Sequence, residues 1–113
     1  MGAAAAWALG RLGDERAVEP LVGALSDEDD KVRAKAAAAL ERLGWKAADE
    51  DQKALYLIAV RKWDKLAELG AAAEGPLTAR LRDEDPEVRE GAQWILNELK
   101  SARELDSLFK SLE

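Results

Sequence analysis

The chain has no cysteine and no histidine among its 113 residues. The first absence excludes disulfides and thiol nucleophiles. Together the two exclude Cys/His zinc sites and histidine-based triads. Aromatic residues make up only 5%, and proline occurs three times. No apolar run approaches the roughly 20 residues a membrane-spanning helix needs. The opening, Met1 to Ala6, is small and apolar but lacks a basic flank, so it does not read as a signal peptide. A cytoplasmic location is expected. Positive charge is also short: 17 Lys and Arg stand against 23 Asp and Glu, for a net charge of −6. That balance argues against nucleic acid and anionic membranes as partners.

What is present is repetition. Ala8-Leu9-Gly10-Arg11-Leu12-Gly13 returns as Ala39-Leu40-Glu41-Arg42-Leu43-Gly44, and again as Ile95-Leu96-Asn97-Glu98-Leu99. Glu19-Pro20-Leu21, Leu25, Asp27-Glu28-Asp29 and Val32-Arg33 return 56 residues later as Gly75-Pro76-Leu77, Leu81, Asp83-Glu84-Asp85 and Val88-Arg89. Leu9 to Leu40 is 31 residues, so one unit carries about 25 extra (56 − 31), placed between Gly44 and Gly70. Repetition on this scale means stacked units that cannot bury their apolar faces alone.

Each unit reads as two helices. Helix A starts at an Asp14 cap, runs to about Leu25, and should bend at Pro20, which lacks an N–H for the preceding turn. Helix B is capped by Asp29 and turns Val32, Ala36, Ala39, Leu40 and Leu43 inward; in the later copy Pro86 follows Asp85 at the first helical position. The expected fold is all-α: a short solenoid of antiparallel helix pairs in one domain. Its parts are a half repeat (1–13), a repeat (14–44), a helical insertion (45–69), a repeat (70–100) and a C-terminal capping helix (101–113). Within the insertion Asp49 and Gln52 are spaced as a capping box, Ala54, Leu55, Ile58 and Ala59 form one face, and a second helix or a kink follows Lys62. Leu105, Leu108, Phe109 and Leu112 lie on one stripe of the tail, as a solenoid cap requires. The glycines are expected at helix ends, as C-caps.

The run from Leu12 to Leu40, with Gly13-Asp14, Pro20, Asp27-Glu28-Asp29, Val32-Arg33 and Ala36-Ala37, resembles a HEAT repeat of the phycobilisome-lyase HEAT-like variety. The resemblance implies Asp–Arg ties of loop to helix and repeat to repeat, through Asp29, Arg33, Asp85 and Arg89. It also implies that B helices line a concave face on which another protein docks. A chromophore-lyase activity is implied by the family name alone.

Three carboxylate clusters, Asp27 to Asp30, Asp49 to Asp51 and Asp83 to Asp85, precede helices and read as caps and dipole charges. No glycine or terminal glutamate follows Asp27 at calcium-loop spacing. No catalytic constellation, metal site or cofactor loop is found. Trp45 and Trp63 bracket the insertion and should staple it to the body. Trp7 and Trp94 share one slot of the B helix with Ala38, at the edge of the buried stripe, and are candidate anchors for a partner. Beside that slot lie Lys31, Lys35 and Arg42 in one unit and Glu87, Glu90 and Glu98 in the other, a bipolar surface. The expected function is a scaffold for a protein or peptide of mixed charge. The alternatives are self-association through the uncovered N-terminal stripe (Ala5, Ala8, Leu9, Leu12), a piece of a longer array, and a chromophore-lyase-like protein.

Overall fold

Three aspartates set three helix starts. In the computed structural model, which describes residues 2–5, 8 and 15–112, Asp29, Asp49 and Asp85 each accept a backbone N–H at 2.9 Å, from Lys31, Gln52 and Glu87. Behind them run α2 (Asp30–Arg42), α3 (Glu50–Ala59) and α6 (Pro86–Ser111). The Gln52 side chain accepts from the Ala48 N–H at 2.8 Å, so this box closes one residue before its cap. The other helices are α1 (Val18–Ala24), α4 (Trp63–Leu69) and α5 (Glu74–Ala79). Residues 3–5 and 8 are helical, and no strand occurs among the described residues. No helix there is long and apolar enough to cross a membrane.

Each A helix is divided in the same way. A 3₁₀ turn, Glu15–Ala17 or Gly70–Ala73, leads into α1 or α5, and Pro20 or Pro76 is the third residue of the α-helical part. The missing proline N–H removes one i→i−4 bond, so the chain enters the helix through a tighter turn rather than bending mid-helix. The Asp14 cap lies outside the described residues. Gly44 and Gly70 do end helices, at φ of +72° and +67°. Gly23, Gly75 and Gly91, however, lie inside α1, α5 and α6. The expectation that glycines mark helix ends fails for them, because helix propensity is a weak preference that packing overrides.

Two apolar clusters form the core. Leu21, Leu25, Val32, Ala36 and Leu40 join α1 to α2, with Ala59 of α3. Ala54, Ile58, Leu66, Leu77, Val88, Ala92 and Ile95 join α3, α4, α5 and α6. The half-buried Tyr56 packs against both. Segment 45–69 thus supplies a helix pair, α3 and α4, that stacks between α1/α2 and α5/α6: α3 packs on α2 and α5, and α4 on α6. The resulting body is elongated, 57 × 27 × 16 Å, with a radius of gyration of 15.8 Å. A compact chain of this length would have about 13 Å.

The tail departs from expectation. No break occurs at Lys100-Ser101; α6 continues without interruption from Pro86 to Ser111. Lys100-Ser101-Ala102-Arg103-Glu104 contains neither glycine nor proline, so nothing local stops the helix. Nor does the tail cap the core. The 26 residues of α6 span about 39 Å, beyond the reach of the shorter helices, and residues 100–112 are all exposed.

Candidate partner-binding surface

The loops at one end of the helices are tied by arginines. The Arg33 side chain, 2% exposed, donates to the carbonyls of Asp27 (2.8 Å) and Glu28 (3.1 Å) and pairs with the Asp83 carboxylate at 2.9 Å. Arg89 repeats the first half of this clasp 56 residues on, donating to the carbonyls of Asp83 (2.6 Å) and Glu84 (3.2 Å). Arg80 adds a bond to Asp83 at 3.1 Å. Burial pushes the Asp83 carboxyl up, but hydrogen bonds from Arg33 and the Asp85 N–H, with the Arg33 and Arg80 charges, hold it below the usual carboxylate range.

Arg61, in the turn between α3 and α4, completes the edge. It reaches Asp30 (2.9 Å) at the start of α2, and Asp85 (2.6 Å) and Glu87 (2.9 Å) at the start of α6. Its φ is +60°, a left-handed conformation that costs a residue with a Cβ roughly 1–2 kcal/mol. The three carboxylates converging on its guanidinium offset that cost. Hydrogen bonding to Arg61 also lowers the Asp85 pKa. Asp29, Asp30 and Glu84 bring carboxylate oxygens within 4.8 Å of one another. Asp29 is committed to its cap and Asp30 to Arg61, so the group carries no metal assignment.

Sequence reasoning missed Arg61, Arg80 and the role of Asp83. Arg61 belongs to the non-repeating segment, where no offset singles it out. Asp83 had a signal in its recurrence from Asp27, but nothing local pointed to Arg33 across 50 residues.

Of the candidate docking residues, Lys31, Lys35 and Arg42 on α2 are exposed, as are Glu87, Glu90, Glu98 and Trp94 on α6. Trp94 is 57% exposed. Trp7 lies outside the described residues. Arg61 draws the two helix starts together, so Lys31 and Glu87 lie beside one ion network. Further along, α2 rests on α3 and α6 on α4, which separates Lys35 and Arg42 from Glu90 and Trp94 by a helix pair. Along the N-terminal stripe, Ala5 and Ala8 are exposed, and Leu9 and Leu12 lie outside the described residues.

Trp45 and Trp63 are half-buried. Trp45 packs on the first cluster with its ring 5.9 Å from that of Tyr56, tilted by 55°. The two rings line an open cavity of about 360 Å³ with Glu41, Lys46, Ala47 and Lys53. The Tyr56 hydroxyl donates to Glu41. Burial, and then this bond and the Glu41 charge, push the Tyr56 pKa up to about 12. Tyr56 is the only tyrosine, so an absorbance titration at the phenolate band reads it directly. The expected midpoint is about 12 in the native chain, falling towards the ordinary value of about 10 in Glu41→Gln.

Helix pairs in tandem, each packing on the next, are the mark of an α-solenoid, and here the same arginine clasp closes the loops of the first and third pairs. Residues 2–62, just over half of the chain, match the family of HEAT repeats. The chain belongs to that family. No curated protein and no solved structure matches it. The matched stretch holds α1, α2, α3 and Arg61. The pair α5/α6 lies beyond it but repeats its Pro20, Asp29 and Arg33 as Pro76, Asp85 and Arg89. HEAT repeats generally mediate protein–protein interaction, and the family is typically a non-enzymatic scaffold.

Proposed function

We propose that this HEAT-repeat chain is a scaffold whose protein partner docks on the B-helix face, the side expected to be concave, through the exposed residues of α2 and α6. The observation that carries this reading is Trp94. Trp45 and Trp63 pack into the body, whereas Trp94 stands more than half in water in the middle of a rigid helix. A large exposed apolar side chain on a rigid element is a characteristic partner anchor. Lys31, Lys35 and Arg42 on one side and Glu87 and Glu90 on the other suit a partner of mixed charge.

Affinity capture tests the reading, with wild type compared with Trp94→Glu plus Lys35→Glu. Both positions are exposed, so circular dichroism should show an unchanged fold. A protein retained by wild type and reduced tenfold or more with the variant supports the surface and identifies the partner. Equal recovery with both removes the surface. Recovery of a chromophore-bearing partner would instead favour the chromophore-lyase-like reading.

A further inference from the structure

Every exposed large hydrophobic side chain among the described residues is on α6 (Trp94, Leu105, Leu108 and Phe109) or at its C-cap (Leu112). They form a line. At 3.6 residues per turn, Leu112 follows Trp94 by five whole turns, Leu105 and Phe109 fall about 20° and 60° to one side of that direction, and Leu108 falls about 40° to the other, a stripe about 100° wide. The line is about 27 Å long at 1.5 Å per residue. It points away from Val88, Ala92, Ile95 and Leu99, which face the core.

Charge is sorted around this line. Glu90 and Glu98 lie about 40° to either side of it and Glu104 about 80° away, all exposed. The basic residues of the same stretch, Lys100, Arg103 and Lys110, fall 120° or more from it on the same ~100° per residue. Consistently, Arg103 turns back to pair with Glu74 of α5, and Lys110 pairs with Asp106 at 3.2 Å. The half of the stripe from Trp94 to Leu105 therefore has an acidic border, while Asp106, about 120° from it, is taken up by Lys110. A second copy would bring acidic border against acidic border on chains of net charge −6, and an anionic bilayer would be repelled in the same way.

We infer that α6 from Trp94 to Leu112 is the docking site for an amphipathic helix of another protein, its apolar face bordered by lysine or arginine. This rests on the reading of α6 as a partner face, and it adds the partner's chemistry and the tail's part in binding it. Five side chains of this size present roughly 600 Å² of apolar surface. With its polar border that approaches the ~800 Å² per partner of a standard specific interface. A partner helix of about 18 residues matches the line.

The probe is a labelled 18-residue leucine–lysine peptide with leucines at helical spacing, titrated with the full chain and followed by fluorescence anisotropy. The control is the same pattern with glutamate in place of lysine. The lysine peptide should bind at least tenfold more tightly than the glutamate peptide. Leu108→Ser plus Leu112→Ser, and separately Glu98→Lys plus Glu104→Lys, should each weaken it about tenfold or more with helix content unchanged. Equal binding of the two peptides, or of wild type and the leucine variant, overturns the inference. So does a dimer in sedimentation velocity that the leucine variant dissolves, or wild-type chain sedimenting with phosphatidylcholine vesicles. Lys35→Glu alone separates the two readings. If it abolishes capture of a partner while the lysine peptide fails to bind, the scaffold reading stands and this inference falls. If the peptide binds as expected while no variant alters capture, the α6 stripe stands without the α2 face.

Discussion

Arg33→Ala is expected to lower the free energy of unfolding by about 3–5 kcal/mol, the usual cost of removing one partner from a buried ion pair. Arg33 and the Asp83 side chain are both almost wholly inaccessible, at 2% and 0%. Without Arg33 the carboxylate keeps only Arg80 and the Asp85 N–H, and the carbonyls of Asp27 and Glu28 lose the donor that clasps them. The pair also links the α1/α2 repeat directly to the α5–α6 loop. A chain of this size has a total stability of about 5–15 kcal/mol, so a large part of it depends on this contact. Urea unfolding followed by circular dichroism measures the loss. Arg33→Met with Asp83→Leu should recover much of it, because an apolar pair leaves no buried charge behind. A loss under 1 kcal/mol for the single variant would show that the pair is open to water in solution.

The same contact sets an acid limit. Asp83 is held below its ordinary value in the folded chain. Its contribution is therefore fully present above the unfolded carboxylate value, near pH 4, and is lost as pH falls through the lower folded value. Asp85, lowered chiefly by Arg61, acts in the same direction. Stability should decline steeply below about pH 4, and Asp83→Asn should flatten that decline while lowering stability at neutral pH.

Gly91→Ala is the second large effect. On propensity alone, alanine at an interior helix position should stabilise by about 1 kcal/mol. Here a Cβ would stand 2.5 Å from Cε2 and Cζ2 of the Trp63 indole and 2.9 Å from its Cδ2. The indole is a rigid bicycle that opens α4 and packs into the second cluster, so it must move as a unit. The expected net result is a loss of about 1–3 kcal/mol, as for other overpacked sites. Making the same change in a Trp63→Leu background should reverse the sign, because the obstruction is gone. That reversal, read as a coupling energy from thermal melts, identifies the α4–α6 contact as the cause. Alanine stabilising in both backgrounds would refute it.

Gly91 also shows where local reading stops. It stands 56 residues after Lys35, so the two positions are equivalent in the repeat. One faces solvent, and the other is closed by a tryptophan from the non-repeating segment. Nothing in the sequence near residue 91 announces Trp63. Arg61 is similar: it joins Asp30 to Asp85 and Glu87 only because the turn carrying it stacks between the two repeats. The tail stripe is the third case. Leu105, Leu108, Phe109 and Leu112 have the spacing of a covered face and were expected to cap the core, yet all four are exposed. Periodicity reports that one side of a helix is apolar; it does not report what lies against that side.

By itself the sequence determined the all-helical class, the HEAT-like pairing and the three aspartate caps. Each rests on residues within one turn of one another or on wording that recurs at a fixed offset. Only the tertiary structure decided that Arg33 closes on Asp83, that Trp63 fills the space above Gly91, and that α6 runs past the body with its apolar side in water. Those outcomes depend on groups brought together from 28 to 50 residues apart, or on what lies beside a helix. Helix spacing along the chain encodes neither, because it fixes the direction of a side chain from its own axis and leaves the packing of one axis on another to the fold.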